Sequence, residues 1–336
     1  MNHWQRKYFW SISLMTGEAW EMENNLIFLY PGQGSHYRGM GYDIYESFPE
    51  ARNIFDRADG HLDFSLRRLC FEGPDEELNS DLNAQLAVYT ISCAITEVLR
   101  AHRIEPLITS GYSSGFYAAA YAAGCFDFTD GLDLVKRAGE ILLDEGGNFD
   151  GCMAVIFGLS GEQTELICRR SGTVQVAIRN TSRQIIVSGL RSSVSKAMEI
   201  ACAEGALDAY FLAAETAYHS ILMANSSLRF HTHLNTINVA SPRVPLLSYS
   251  SLDLVTDGEK LKKTMADQLS SPVLWVDVIK KLRLNDNFIF IEVGPGSVIY
   301  RTVRWIDRTI EAMITDKVKT IETIIEKFVK KPGCWR

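Results

Sequence analysis

The chain has 336 residues, of which 46% are apolar and 22% charged, with a net charge of −7 and a pI near 5.6. This composition suits a globular protein with a large core, and the acidity argues against a nucleic-acid-binding surface. Seven dispersed cysteines without a CxxC or CxxH grouping exclude a disulfide scaffold and a cysteine-based zinc site. They favour reduced thiols in a cytoplasmic protein.

Residues 1–25 precede the first predicted element and are interpreted as an N-terminal extension, disordered or loosely packed. Their basic and aromatic stretch superficially resembles a signal peptide. Its apolar core is short, however, and no small-residue cleavage site follows it. No apolar run in the sequence reaches the length expected of a membrane-spanning helix.

In the first half of the chain, short apolar runs alternate with helical patterns. LIFLY at 26–30 predicts a buried strand that ends in a Pro-Gly turn, and PLITS at 106–110 predicts a second strand. Predicted helices cover 42–58, 82–102, 115–123 and 129–145. This alternation of strands and helices predicts an α/β fold with a parallel sheet.

Between 151 and 215 the order becomes strand, helix, strand, strand, helix, strand, which is the ferredoxin-like β-α-β-β-α-β unit. We interpret 151–215 as a small subdomain inserted into a larger body made of 26–150 and 216–336. In the second part of that body, further helices are predicted near 219–236, 257–268 and 316–332, and strands in PLLSY and FIFIEV.

The turn after the second predicted strand reads GYSSG, with Ser113 at its centre. A Gly-X-Ser-X-Gly turn between a buried strand and a helix is the nucleophile-elbow pattern, in which the glycines allow a sharp turn that exposes the serine. The start of the following helix offers backbone N–H groups to a developing oxyanion. Serine and glycine also abound in ordinary turns, so the pattern needs a base to support it.

Histidine is the usual base for a serine near neutral pH, and the chain has seven histidines. His219 stands out because it lies in TAYHSILM, just past the last strand of the predicted insert. A segment that returns between two subdomains is a natural rim for a cleft. His3 lies in the extension. For His61, His102, His231 and His233, which lie in polar stretches, a solvated side chain is the simpler interpretation.

Six segments of the chain occur in the order found in one known family: FLYPGQGSHYRGMG, GYSSG, NTSRQIIVSG, AYHSILM, SSPVLWVDVI and IEVGPG. From about Leu26 to beyond Gly296 the chain resembles the malonyl-CoA:acyl-carrier-protein transacylases and the acyltransferase domains of polyketide synthases. The resemblance implies an α/β-hydrolase-like body with a ferredoxin-like insert, the fold that the patterns also predict. It further implies ping-pong acyl transfer between coenzyme A and the phosphopantetheine arm of an acyl carrier protein. It implies no bound metal or redox cofactor. Members of the family are often monomers.

Residue by residue, the resemblance makes Ser113 the acylated serine and His219 its general base. In this family a backbone carbonyl, in place of a carboxylate, orients the histidine. We expect that carbonyl in the segment SYSS, near Tyr249 or Ser250.

The resemblance also assigns groups around the reacting carbonyl. The backbone N–H groups of Gln33 and Ser114 correspond to the oxyanion hole. Gln85 matches the glutamine of the family's QPA stretch, and Asn180 matches a polar position near the active site. All four residues are therefore expected near Ser113.

Substrate-binding positions depart from the family's pattern. Tyr112 stands in place of a histidine and Phe116 in place of a glutamate. Ala138 occupies the position where malonyl-using members carry an arginine that binds the free carboxylate in a bidentate pair. Arg137 is adjacent but rotated by roughly 100° on a helix. Tyr218, an aromatic residue before the base, resembles the malonyl-type pattern and indicates a constricted pocket.

These departures leave several functions open. The chain could transfer an uncharged or unusual acyl group, hydrolyse acyl units from stalled carrier proteins, or still use malonyl if Arg137 or another cation compensates. A degenerate docking scaffold and an ordinary esterase are further alternatives. The presence of Ser113, His219 and Gln33 together argues against the scaffold. The PGQGS opening and the predicted insert argue against the esterase.

Overall fold

A computed structural model of the chain describes residues 25–283 and 287–329. The predicted extension, apart from Asn25, and the end of the predicted helix 316–332 lie outside the described residues. The strands are β1 (Leu26–Tyr30), β2 (Ile108–Gly111), β3 (Gly151–Phe157), β4 (Val174–Arg179), β5 (Gln184–Leu190), β6 (Asp208–Phe211), β7 (Leu246–Leu247), β8 (Leu254–Val255), β9 (Ile289–Glu292) and β10 (Glu311–Ile314).

The helices are, in chain order, α1 (Tyr42–Ser47), α2 (Pro49–His61), α3 (Leu66–Glu72), α4 (Asp75–Leu78), α5 (Asp81–Ala101), α6 (Gly115–Ala122), α7 (Phe128–Gly146), α8 (Gly161–Ser171), α9 (Arg191–Ala203), α10 (Ala224–Leu234), α11 (Gly258–Asp267), α12 (Trp275–Leu282), α13 (Val298–Ile306) and α14 (Val318–Phe328). A short 3₁₀ helix, Ile221–Met223, precedes α10.

Two sheets organise these elements. The first is six-stranded with the order β10-β9-β1-β2-β7-β8, and its pairs are parallel except β7 with β8. The second is four-stranded and antiparallel with the order β4-β5-β3-β6. The second order is that of a ferredoxin-like unit. The predicted fold, an α/β-hydrolase-like body with a parallel sheet and a ferredoxin-like subdomain, is confirmed.

Burial explains why the central strands consist of apolar residues. All five residues of β1 are buried, as expected for a parallel strand whose two faces are both covered. Among the described residues, α5 is the helix long and apolar enough to span a membrane by length and composition, but 83% of its most apolar stretch is buried inside the protein. Such burial is what a core helix shows.

The first predicted helix, 42–58, is divided in the structure. Phe48, between α1 and α2, is extended with φ −122° and ψ 120°, and Pro49 is the first residue of α2. Proline disfavours helical geometry in the residue before it and is well suited to the first turn of a new helix. The sequence patterns also fail to predict α3, α4, α12, α13, β8 and β10.

A main-chain contact joins the small sheet to the large body. Val273, in the loop between α11 and α12, donates its N–H to Ala177 O at 2.8 Å and accepts from Arg179 N at 2.9 Å. Strand β4 therefore fixes the loop 268–274 as an added edge segment. The predicted division into 26–150 with 216–336 and 151–215 remains our proposal, supported by the two sheets.

Candidate active site

The turn GYSSG connects β2 to α6 so tightly that its two glycines are required. A Cβ atom on Gly111 would lie 2.3 Å from the backbone of Gly115, and one on Gly115 would lie 2.2 Å from Tyr30 O. Ser113, between them, has a φ of 52°, a backbone conformation that residues with a Cβ rarely adopt. The geometry is that of a nucleophile elbow at the carboxyl end of a central strand.

His219 lies against this elbow, as the sequence predicts. Its Nε2 atom is 2.8 Å from Ser113 Oγ, and the ring is only 7% exposed. Its Nδ1 atom lies 3.1 Å from both Gln268 O and Ser271 O. Carbonyl oxygens only accept, so the proton sits on Nδ1 and leaves the Nε2 lone pair to accept the proton of Ser113.

The prediction that Tyr249 or Ser250 supplies the carbonyl that orients His219 is wrong. The carbonyl of Tyr249 accepts a hydrogen bond from Leu274 N at 3.1 Å, and its ring presents an edge-on contact to His219 at 6.1 Å between centroids. The carbonyls that orient His219 belong to Gln268 and Ser271 instead. They reach the ring because the loop after α11 is tied to β4, a tertiary constraint that a local segment does not reveal.

Burial of the His219 imidazole lowers its pKa from 6.5 to about 4, and the two carbonyl partners oppose this shift. The ring is therefore largely neutral, and able to act as a base, from about one pH unit above that value. We expect the rate constant for acylation of Ser113 to be flat from about pH 7 to pH 5 and to fall as the pH drops through about 4. Stopped-flow kinetics on protein shown to be folded by circular dichroism would measure this. A decline centred near pH 6.5 would contradict it.

The loop after β1 brings Gln33 beside the elbow. Its backbone N–H donates to Ser114 Oγ at 3.3 Å, and its side-chain Oε1 accepts from Gln85 Nε2 at 3.3 Å. A substrate carbonyl oxygen bound at the elbow would compete with Ser114 Oγ for that backbone donor. Three of the residues assigned from the resemblance thus lie together.

A cavity of about 540 Å³ opens over Ser113 and His219. Of the predicted residues, it is lined by Gln33, Gln85, Tyr112, Ser113, Ser114, Ala138, Tyr218 and His219. Phe116 and Asn180 lie behind the lining. Phe116 is fully buried and packs edge-on against Tyr249 at 5.9 Å, and Asn180 Oδ1 accepts from the Tyr112 hydroxyl at 2.7 Å.

The wall of the cavity is uncharged. Its apolar part includes Ala138, Leu142, Met153, Ile178, Ile186 and Leu212. No arginine, lysine, aspartate or glutamate among the described residues lines it, and the imidazole of His36 at its edge has a pKa lowered by burial. Arg137 is exposed and pairs with Glu140 at 3.4 Å. In the described part of the chain, no group of three or more His, Cys, Asp or Glu side chains could hold a metal.

Two residues near the site carry no signal in the sequence patterns. Gln175 of β4 accepts from Ile221 N at 3.0 Å and donates to His219 O at 3.4 Å, so it holds the backbone at the base and just after it. Asp81, at the start of α5, contacts Gln33 and Tyr218. Their partners are distant in sequence, and only the folded chain brings them together.

Comparison with known proteins shows the family to which the chain is similar. The acyl transferase domain family matches residues 27–323. The chain is 35% identical over 307 residues to the malonyl CoA-acyl carrier protein transacylase of Bacillus subtilis, covering 90% of this chain and 97% of that one. It is 32% identical to the polyketide biosynthesis malonyl CoA-acyl carrier protein transacylase PksC of the same organism, covering 86% of this chain and 99% of that one.

Solved structures give the same result. The malonyl CoA-acyl carrier protein transacylase of Coxiella burnetii superposes with a TM-score of 0.88 at 28% identity, covering 93% of this chain and all of that one. A malonyl-transacylase solved in complex with a type II polyketide acyl-carrier protein superposes with a TM-score of 0.87 at 27% identity, covering 90% and 100%.

Proposed function

Because this chain belongs to the acyl transferase domain family and is an acyltransferase, we propose that it moves an uncharged, mainly apolar acyl group between thioester carriers through an acyl-Ser113 intermediate. The carriers are coenzyme A and the phosphopantetheine arm of an acyl carrier protein. No permanently bound cofactor takes part in this scheme. The six described cysteines are free thiols, consistent with a cytoplasmic protein, and we expect a monomer.

The chemistry follows from the 2.8 Å contact between Ser113 Oγ and His219 Nε2. His219 takes the hydroxyl proton as Ser113 Oγ bonds to the thioester carbon. The C–S bond then breaks, and the departing thiol receives the proton from His219. A second thiol repeats these steps in reverse and carries the acyl group away. The carbonyls of Gln268 and Ser271 stabilise the transient imidazolium through Nδ1–H, as a carboxylate does in a Ser-His-Asp triad.

The oxyanion that forms in each step needs donors that are already in place. We assign this role to the backbone N–H groups of Gln33 and Ser114, since Gln33 N–H points at the elbow and Ser114 N lies at the start of α6. Removal of one such donor typically costs about 2.7–4 kcal/mol of transition-state stabilisation.

The uncharged wall of the cavity is the observation that carries the substrate assignment. Ala138 lines the cavity at the position where the resemblance places a carboxylate-binding arginine. A malonyl carboxylate in this cavity would lose its hydration without gaining a cationic partner, which is costly. An uncharged acyl chain would instead gain the hydrophobic contribution of the surrounding side chains.

Substitution of Arg137 tests the alternative that this residue replaces the missing arginine at position 138 and binds the malonyl carboxylate. Its guanidinium is exposed and paired with Glu140. We therefore expect Arg137→Ala to change the rate of Ser113 acylation by less than about twofold for every acyl thioester, as is usual for a surface substitution. Parallel measurements with malonyl-CoA and butanoyl-CoA would check this. A selective loss of malonyl loading would instead identify Arg137 as the carboxylate partner.

The fate of the acyl group distinguishes a transferase from an acyl hydrolase. The protein is acylated with butanoyl-CoA, freed of excess thioester, and divided between buffer and buffer with holo-acyl carrier protein. Intact mass follows the acyl group on Ser113 and on the carrier. Arrival on the carrier faster than loss to water supports transfer. Loss to water at the same rate in both samples makes the protein an acyl hydrolase, and no acylation at all contradicts both.

A further inference from the structure

Asp81 is a buried carboxylate that the mechanism above does not use. It is the first residue of α5, and 1% of it is exposed. A carboxylate this deeply buried is rare unless its oxygens are fully hydrogen-bonded. Its partners therefore indicate what it does.

Those partners come from two separate segments of the site. Oδ1 accepts from the side-chain amide of Gln33. Oδ2 accepts from the Tyr218 hydroxyl at 2.6 Å and from Glu215 N at 2.8 Å, and Glu215 Oε1 accepts in return from Asp81 N at 2.8 Å. Both oxygens act as acceptors, which a carboxylate allows and an amide of the same shape does not.

One segment carries the oxyanion donor and the other carries the base. Gln33 provides a backbone N–H at the elbow, and Tyr218 directly precedes His219, whose φ of 58° is strained. A strained conformation persists only where its surroundings fix it. Asp81 is the one described side chain that is hydrogen-bonded to both segments at once.

We infer that Asp81 is a positioning residue that holds the oxyanion donor of Gln33 and the base His219 at the correct separation around Ser113. The inference rests on the proposed function, because the oxyanion role of Gln33 belongs to it. Asp81 contacts neither the acyl group nor the reacting atoms, so its effect is the same for every acyl group.

A probe that does not depend on acyl specificity tests this role. An alkyl fluorophosphonate is attacked by Ser113 Oγ, forms an O–P bond and expels fluoride, while His219 takes the serine proton. Its phosphoryl oxygen occupies the same site as the oxyanion. Intact mass on the full chain gives both the rate constant of labelling and its final extent.

In Asp81→Asn we expect the labelling rate constant to fall about 10- to 100-fold, less than the loss of a complete oxyanion donor, while the final extent stays that of the wild-type chain. Asp127→Asn is the matched control, because Asp127 is the N-cap of the neighbouring helix α7 and accepts from Asp130 N at 2.9 Å. It should label at the wild-type rate. A lower final extent with an unchanged rate constant would reveal a merely structural role and overturn the inference.

Tyr218→Phe provides a second variant that removes one hydrogen bond and keeps the shape of the ring. We expect it to slow labelling severalfold in the wild-type chain and to have no further effect in Asp81→Ala, since alanine leaves the Tyr218 hydroxyl no partner at position 81. If Asp81→Asn does not fold, an unchanged rate in Tyr218→Phe alone overturns the inference. A wild-type chain that is not labelled at Ser113 overturns the proposed function as well, whereas equal rates in wild type and Asp81→Asn overturn the inference alone.

Discussion

Replacing Ala138 by arginine is expected to give the protein the ability to load malonyl groups onto Ser113. Ala138 is buried in α7 and lines the cavity, so a longer side chain there extends towards the acyl site. A guanidinium can pair with a carboxylate through two parallel hydrogen bonds. Hydrogen bonds to charged groups contribute about 1.5–3 kcal/mol, so the preference for malonyl over butanoyl should rise about 10- to 150-fold. Competition between the two thioesters, read by intact mass, measures this ratio.

The matched control for this substitution is Ala138→Met, which adds a flexible side chain without charge. It should slow loading of long acyl chains by filling part of the cavity and should leave malonyl loading as poor as before. A gain of malonyl loading in Ala138→Met would show that size, and not charge, sets the preference. No gain in Ala138→Arg, in a variant that still loads acyl groups, would mean that the carboxylate does not lie near position 138.

Removing either member of the Ser113–His219 pair should have the largest effect on activity. In Ser113→Ala no acyl-enzyme can form, so no covalent mass increase is expected with any thioester. In His219→Ala the rate of acylation should fall by about 10²–10⁴-fold, the usual contribution of a positioned general base. Mass addition to Ser113→Ala at the wild-type rate would place the acylated residue elsewhere.

Local chemistry explains why the nucleophile could be predicted from the sequence. The spacing of Gly111 and Gly115 around Ser113 is a short-range requirement, since each glycine lies where a Cβ would collide with backbone. The parallel strands and the ferredoxin-like order follow from runs of apolar residues. Patterns of this kind can be recognised in the sequence because they depend on residues that are neighbours in the chain.

The parts that could not be predicted depend on distant contacts. The carbonyls of Gln268 and Ser271 reach His219 only because Val273 pairs with β4. Asp81 looks like an ordinary acidic residue in the first turn of a helix until Gln33 and Tyr218 meet it in the folded chain. For Phe116 the local motif is misleading. Its place in the motif predicts contact with the substrate, but the geometry of the helix buries its side chain against Tyr249.

The acyl specificity of Ser113 is tested most directly by the mass of the wild-type protein after incubation with malonyl-CoA and, separately, with acetyl-CoA, butanoyl-CoA and the corresponding acyl-carrier thioesters. Ser113→Ala serves as the control for the site of addition. We predict a single acyl addition on Ser113 from the uncharged thioesters and little or none from malonyl-CoA. Stable malonylation of Ser113 that passes to an acyl carrier protein would contradict it and make the protein a malonyl transferase.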